Sequence, residues 1–251
     1  MRRLTTLALA CTLLIPLAGC ERNTASSTFN PALAGDFFPL APTTVWTYQI
    51  KSKSQQNTYV VTDKVIGIKY VPSLNVTGSV VEEYYNLDRG GVRPIIYVIK
   101  DGYLTRLSGL DYKKQDIQAP AWGRSEEGSF MPERLLPDLT WKSTMFPFGH
   151  MSGAFDINQT HRTFFESDAV VVPAGHFPGC IRIETRALYE GGTYANKGPT
   201  RLTYEDWYAP RVGLIKTVAF EGDASGPETE RVELLRYAAP TAPAKAPATA
   251  G

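Results

Sequence analysis

The stretch Trp207-Tyr-Ala-Pro-Arg-Val-Gly-Leu-Ile-Lys216 joins two segments in which apolar and polar side chains alternate. A period of two is typical of a half-buried β-strand, because successive side chains of a strand point to opposite faces. Pro210 and Gly213 suit a turn between the two segments, and Trp207 and Leu214 supply apolar anchors. The stretch therefore predicts a β-hairpin, whose two strands pair in an antiparallel sheet.

The same alternation extends through most of the chain. Tyr, Val, Ile and Thr, which suit a pleated and half-buried surface, are frequent in these segments. Asp101-Gly102 favours a type I′ hairpin turn between two of them. The alternating segments are Trp46–Lys51, Thr58–Ile68, Val80–Asn86, Pro94–Lys100, Ala154–Phe165, Ile181–Glu184, Arg201–Tyr208, Val212–Phe220 and Glu230–Tyr237.

Helical patterns are almost absent. No segment keeps a 3.6-residue apolar period for three turns, and Ser125–Leu139 has room only for a short helix or two, interrupted by Pro132 and Pro137. A sheet of about ten strands curls and does not stay flat. We therefore predict a mostly β fold with a single antiparallel curved sheet, half-barrel or barrel-like, with few short helices and disordered termini. A sandwich is the open alternative.

The N-terminus has the parts of a bacterial lipoprotein signal. Arg2 and Arg3 precede an uncharged, mostly apolar run over Leu4–Leu17, which is shorter than the roughly 20 residues that span a bilayer. The run ends in Leu17, Ala18, Gly19 and Cys20, which resemble the lipobox at which signal peptidase cuts before the cysteine. An ordinary secretory signal is the alternative.

The lipobox resemblance implies that Cys20 is the site of lipid attachment and carries several acyl chains, palmitate among them. A single chain would bind a membrane only marginally. Glu21 stands where an Asp commonly retains such proteins in the inner membrane. We therefore predict a protein anchored to the periplasmic face of the outer membrane, with the inner membrane less favoured.

Composition divides the chain into four parts. Residues 1–19 are the predicted signal peptide, and residues 20–35, small and polar, are the predicted flexible tether. Residues 36–237 carry the alternating pattern and form the predicted β domain. Residues 238–251, rich in Pro and Ala, are the predicted disordered tail.

Charge and cysteine content restrict the partners and the covalent chemistry. Loss of Arg2 and Arg3 lowers Lys plus Arg from 26 to 24, against 25 acidic residues. No basic patch is evident along the sequence, so no nucleic-acid partner is expected. Since Cys20 is predicted to be acylated, only Cys180 remains in the mature chain, and no internal disulfide is expected.

The sequence contains no recognisable catalytic or metal-binding pattern. His150, His161 and His176 have no zinc-motif spacing, and no Gly-x-Ser-x-Gly elbow is present. Glu82 and Glu83 are adjacent and would face opposite sides of a strand. We expect no enzyme, no catalytic residue, no cofactor and no metal, and we expect His161 to be a hydrogen-bonded strand residue.

The bend around Cys180 joins two predicted strands. Val170–Val172 ends the first, Pro173–His176 are predicted turn residues, and Phe177 is a predicted anchor. Simple alternation places Cys180 opposite Ile181 and predicts partial exposure, unless a bulge at Gly179 shifts the register. A structural cysteine is favoured over a reactive thiol.

Three motifs resemble those of uncharacterised bacterial envelope lipoproteins: Phe37-Phe-Pro-Leu…Trp46-Thr-Tyr48, Val172-Pro-Ala-Gly-His-Phe-Pro-Gly-Cys180, and the hairpin Trp207–Lys216. Those proteins usually have Gly-Asn before the first Trp, where this chain has Thr43-Thr44. The resemblance implies a β-rich envelope domain similar to the open half-barrels of lipoprotein carriers, and it implies no reaction.

Two functions follow as hypotheses. The favoured one is a non-enzymatic, membrane-anchored periplasmic lipoprotein that acts as a binding or assembly module toward another envelope protein. The alternative is a carrier or sensor of lipid or another apolar ligand. Its groove would be lined by Trp46, Tyr48, Trp207 and Tyr208, although packing in the core is the simpler role for these aromatics.

Overall fold

A computed structural model describes residues 32–53, 58–72, 75–85, 91–107, 110–111, 116–117, 128–145, 157–189 and 200–239. The predicted signal peptide, Cys20, His150 and the tail from residue 240 lie outside these residues. Pro31–Gly251 is one compact unit, and its buried apolar core extends from Ala34 to Leu234. This unit therefore contains a core of its own.

Strands make up nearly all of the regular structure in the described residues. The elements are β1 (Ala32–Leu33), α1 (Ala34–Phe37), β2 (Val45–Ser52), β3 (Thr58–Val71), β4 (Val76–Tyr85), β5 (Val92–Lys100), β6 (Tyr103–Leu107), β7 (Leu110–Asp111), β8 (Asp116–Ile117), β9 (Gly128–Pro132), β10 (Arg134–Leu135), β11 (Thr140–Met145), β12 (Ile157–Phe165), β13 (Val170–Val172), β14 (Gly175–Phe177), β15 (Ile181–Tyr189), β16 (Thr200–Ala209), β17 (Gly213–Glu221) and β18 (Glu228–Ala238).

Twelve of these strands form one antiparallel sheet, in the order β11-β12-β15-β16-β17-β18-β2-β3-β4-β5-β6-β9. The two edge strands approach each other, since the indole Nε1 of Trp141 on β11 donates a hydrogen bond to the carbonyl of Ser129 on β9 at 3.3 Å. The sheet is therefore nearly closed into a barrel. The predicted single, curved, antiparallel sheet is confirmed, and the sandwich alternative is wrong.

The predicted hairpins occur where the turn residues indicated. In the β16–β17 hairpin, Ala209 pairs with Gly213, and the turn places Arg211 at φ 62° and Gly213 at φ 105°. Asp101 and Gly102 join β5 to β6 with φ angles of 53° and 79°. Two consecutive positive φ angles are what a type I′ turn requires.

The short helices predicted within Ser125–Leu139 do not occur in the part that is described. The chain forms β9 and β10 there, because Met131 and Leu135 are fully buried and the backbone pairs with β6 and β1. Tertiary pairing thus outweighs a weak local preference.

The described residues begin at Ala32, inside residues 20–35, which are predicted to be a tether. Ala32 and Leu33 pair with Leu135 and Arg134, and α1 buries Ala34 and Phe37 in the core. This pairing has no local sequence signal, because the strand β10 that pairs with β1 lies about 100 residues further along the chain.

Candidate functional site

Phe38, which follows α1, packs among aromatic rings inside the barrel. Its ring centroid lies 6.1 Å from Trp46, 5.1 Å from Tyr97, 5.4 Å from Phe130 and 6.3 Å from Tyr208. Aromatic pairs at such distances stabilise a core beyond the area that they bury. The chain itself therefore occupies the space between these rings.

Three of the four residues predicted to line an apolar groove come together in this core. Trp46 is 2% exposed, Tyr48 5% and Tyr208 6%. The Trp46 indole donates to the carbonyl of Val212, and the Tyr48 hydroxyl donates to the carbonyl of Leu214 at 3.1 Å. Burial raises the pKa of the Tyr48 and Tyr208 hydroxyls well above the usual value, so both remain neutral donors.

Trp207 is partly buried and packs against the cluster that contains Trp46 and Tyr48, but it lies on the opposite face of the sheet from Tyr208. Trp207 pairs with Arg182 on β15 while Tyr208 pairs with Ile181, so the two aromatics face opposite sides of the sheet. The Lys216 ammonium lies 4.7 Å and the Arg182 guanidinium 6.0 Å from the Trp207 ring centroid. Trp207 therefore makes cation–π contacts on the other face.

His161 is a hydrogen-bonded strand residue, as predicted. Its Nε2 lies 2.8 Å from the Ser143 hydroxyl and its Nδ1 lies 2.8 Å from the Thr185 hydroxyl. The ring stacks on Trp141 at 4.8 Å. Burial lowers the pKa of His161 to about 4, so the imidazole is neutral at pH 7 and a weak base. The cluster links three neighbouring strands through side-chain hydrogen bonds.

A carboxyl pair lies on β3 and β4. Asp63 and Glu83 are direct cross-strand partners, and Glu83 lies 3.5 Å from the Arg106 guanidinium. Burial, reinforced by the Glu83 charge and opposed by Arg106, raises the pKa of Asp63 to about 7. Within the described ranges, no residue forms a hydrogen bond with the buried Asp63 Oδ1 atom. The pair was missed from the sequence, because its members are 20 residues apart and only the strand register joins them.

The bend before β15 is a small hairpin. Val172 pairs with Gly175 and Val171 with His176, so the two-residue turn is Pro173-Ala174. The prediction of Gly175 and His176 as turn residues is wrong, because both pair within β14. The Ala174 amide donates to the carbonyl of Leu234 at 2.9 Å, which docks the hairpin on β18, and His176 is exposed.

Cys180 is 1% exposed, which corrects the partial exposure predicted from simple alternation. Gly179 adopts a left-handed φ of 67°, so Cys180 precedes β15 and does not follow its alternation. The thiol donates to the carbonyl of Phe177 at 3.1 Å. Burial raises the pKa of Cys180 to about 11, which favours the structural cysteine.

We predict that the thiol of the native unit Pro31–Gly251, whose one cysteine is Cys180, reacts with an aromatic disulfide reagent at pH 8 at least about 100-fold more slowly than the unfolded thiol. Burial limits access, and a raised pKa lowers the thiolate fraction. Stopped-flow absorbance with and without denaturant measures both rates. Equal rates would contradict a buried, structural thiol.

A groove of about 970 Å³ crosses four strands of the sheet. We call it the β11–β16 groove, because β11, β12, β15 and β16 form its floor. Lys142, Arg186 and Arg201 line it together with Asp223, and hydroxyl and amide side chains fill the positions between these charges. The volume lies at the upper end of the range typical of ligand sites, while the lining is more polar than is usual for them.

The register arranges the side chains of this groove in two rows. Lys142, Thr160, Arg186 and Thr203 are successive cross-strand partners and form the first row. Thr144, Asn158, Leu188 and Arg201 form the second in the same way. Both rows face away from His161 and Ile183, which the strands bury on the opposite side. Sequence reasoning missed this basic cluster, because its cations are 15 to 59 residues apart in the chain.

The described residues contain neither a metal-binding cluster nor a membrane-spanning helix. Among these residues, no group of three or more His, Cys, Asp and Glu side chains could hold a metal ion. Over the same ranges, no helix has the length and apolarity needed to cross a membrane. The predicted lipobox residues Leu17 to Cys20 lie outside the described ranges, so their roles stay predictions.

Comparison with known proteins finds no matching family model and no match among the curated proteins. Two solved structures are similar. One is an inferred lipoprotein from Parabacteroides distasonis, with 16% identity and a TM-score of 0.45 over 80% of this chain and 98% of that chain. The other is an inferred exported protein with a YmcC-like fold from Bacteroides fragilis, with 12% identity and a TM-score of 0.44 over 80% and 98%. Similarity at this level assigns no function to this chain.

Proposed function

We propose that the protein is a non-enzymatic lipoprotein, anchored by acyl chains on Cys20 to the periplasmic face of the outer membrane, and that it acts as a binding or assembly module of the cell envelope. The lipobox Leu17-Ala18-Gly19-Cys20 is the observation that carries the proposal. The compact unit Pro31–Gly251 supports it, since this unit does not include Cys20 and has an apolar core of its own.

Ala32 follows Cys20 by twelve residues in the sequence. An extended chain covers at most roughly 3.4 Å per residue, so Ala32 can lie at most about 40 Å from an acylated Cys20. A barrel attached through such a tether can bind partners in the periplasm or on the leaflet that anchors it. This arrangement suits a binding module more than a membrane-embedded one.

The interior of the barrel supports a binding role on the surface more than a carrier role. An apolar ligand bound beside Trp46 and Tyr208 would compete with the Phe38 ring, which contacts both. Carriage of a lipid inside the barrel would therefore require α1 and Phe38 to leave their present position. His161 is neutral and lies within hydrogen-bond distance of Ser143 and Thr185, which likewise supports a structural role for these three side chains.

We predict that Cys20→Ser leaves the protein without acyl chains and moves most of it from the membrane pellet to the soluble fraction, because thioether attachment of diacylglycerol requires the sulfur. Pulse labelling with tritiated palmitate measures the acylation, and membrane fractionation measures the distribution of the protein between pellet and soluble fraction. Cys180→Ser is the matched control and should keep both label and membrane association. Unchanged labelling and partition of Cys20→Ser would refute the lipobox assignment.

A further inference from the structure

We propose that the β11–β16 groove binds the phosphate-bearing headgroup of an anionic membrane lipid and so seats the barrel on the leaflet that anchors it. The assignment deepens the proposed function and rests on it for the membrane.

The groove lining contains three cations and one carboxylate, Asp223, and this excess of positive charge favours an anionic ligand. Lys142, Arg186 and Arg201 are all exposed, and neither Lys142 nor Arg201 forms an ion pair with a described residue. Arg186 binds Glu184 through Nε at 2.8 Å, which leaves its two terminal nitrogens for another acceptor. Guanidinium groups match phosphate oxygens in geometry as well as in charge.

The register places two of these cations around one anion. Arg186 pairs with Thr203, and Arg201 stands two residues before Thr203 on the same face of β16. Such diagonal neighbours are about 7–8 Å apart, a gap that one phosphate group between two guanidiniums can bridge. Lys142 lies two strands away from Arg186 in the same row, about 10 Å across the sheet, and can meet a second anionic group.

The rest of the lining suits a hydroxylated headgroup and disfavours an apolar chain. Thr144, Asn158 and Thr160 are exposed in the groove, and the Thr144 hydroxyl donates to the Asn158 amide oxygen at 3.4 Å. Leu188 and Leu202 are the two bulky apolar residues of the groove lining, and Leu202 follows Arg201 in β16, so its side chain points to the other face of the sheet. Glycerol phosphate combines the required anion with hydroxyl groups that can pair with these side chains.

The unit Pro31–Gly251 carries 23 basic and 24 acidic residues, so attraction to an anionic surface would come from the cations of the groove and not from net charge.

Co-sedimentation of the unit Pro31–Gly251 with vesicles tests the proposal without any contribution from Cys20. We expect binding to vesicles of phosphatidylcholine mixed with phosphatidylglycerol, weakening with added salt, and little binding to phosphatidylcholine alone. Arg186→Gln with Arg201→Gln should lower the partition constant roughly 25-fold, since each basic residue near an anionic bilayer contributes roughly a factor of five. Circular dichroism melts confirm that each variant is folded.

The matched control removes two exposed cations that lie outside the groove. Lys64→Gln with Arg236→Gln, on β3 and β18, should keep the partition constant within about twofold. Wild-type binding by the groove variant, or equal losses in both variants, would overturn the proposal.

A second arm separates lipid from free phosphate. Soluble glycerol phosphate should compete only at concentrations far above those of the vesicle lipid. Binding of soluble glycerol phosphate as tightly as of vesicles would overturn the lipid assignment and point to a free phosphorylated ligand. Because this unit lacks Cys20, these outcomes are independent of the membrane fractionation of Cys20→Ser.

Discussion

Phe38→Ala is expected to lower the free energy of unfolding of the unit Pro31–Gly251 by about 2 kcal/mol, less than the loss typical of a fully buried Phe, because the Phe38 ring is half-buried. The ring contacts four aromatic partners inside the barrel, and neighbouring strands can collapse only partly around the gap. The N-terminal segment would also lose its main attachment after α1. Urea unfolding followed by Trp fluorescence measures the change.

Phe165→Ala is the matched control, because Phe165 ends β12 and is 37% exposed. It should cost less than about 1 kcal/mol, as surface substitutions do. Phe38→Leu should fall between the two, since it keeps part of the apolar volume. A Phe38→Ala variant as stable as Phe165→Ala would show that the ring is not part of the packed interior.

Asp63→Asn is expected to make the unit more stable than wild type above pH 7, by about 2 to 4 kcal/mol, and to leave stability at pH 4 nearly unchanged. Asp63 has a folded pKa of about 7, which burial and the Glu83 charge raise from the usual value of 3.8. Between these values the folded state binds more protons than the unfolded state, so wild-type stability falls as pH rises from about 4 to 7. Each unit of pKa difference corresponds to about 1.4 kcal/mol.

The pH window separates Asp63 from its neighbours. Burial lowers the pKa of His161 to about 4, so His161 adds stability as pH rises from 4 to 6.5, with the opposite slope. Asp206, with a pKa raised to about 6 by burial, has the same slope as Asp63 but only up to pH 6. The difference between wild type and Asp63→Asn therefore isolates Asp63 and should still grow between pH 6.5 and 7.

Thermal melts from pH 4 to pH 8 measure this difference, and Glu133→Gln, which removes an exposed carboxylate, is the control. The control should change stability by less than about 0.5 kcal/mol at every pH. Parallel pH profiles of wild type and Asp63→Asn would contradict a protonated Asp63 inside the barrel.

Local sequence patterns predicted the elements whose causes are local. Asp101-Gly102 tolerates two positive φ angles, so these two residues are enough to predict the turn. Gly213 marks the β16–β17 hairpin for the same reason. The Ser125–Leu139 segment was mispredicted, because β9 and β10 depend on partners in β6 and β1 that no local pattern reveals. The exposure of Cys180 was mispredicted, because Gly179 adopts a left-handed conformation and Cys180 therefore does not follow the alternation of β15.

The candidate sites could not be predicted from the sequence, because they depend on the register of the strands. Asp63 lies beside Glu83, and Arg186 lies near Arg201, only because of the way the strands pair. The strand alternation of β16 likewise places Trp207 and Tyr208, two of the four predicted groove aromatics, on opposite faces of the sheet. A slip of one residue would exchange all these faces.

By itself, the sequence determined the predominance of strands, the antiparallel turns and the predicted lipobox at Cys20, because each depends on side-chain alternation, backbone freedom or a contiguous motif. The tertiary structure alone decided the near closure of the barrel, the insertion of Phe38 among its aromatic rings, the burial of Asp63 and the two polar rows of the β11–β16 groove. Each of these features joins residues from strands that are distant in the chain, and only long-range pairing and packing bring such residues together.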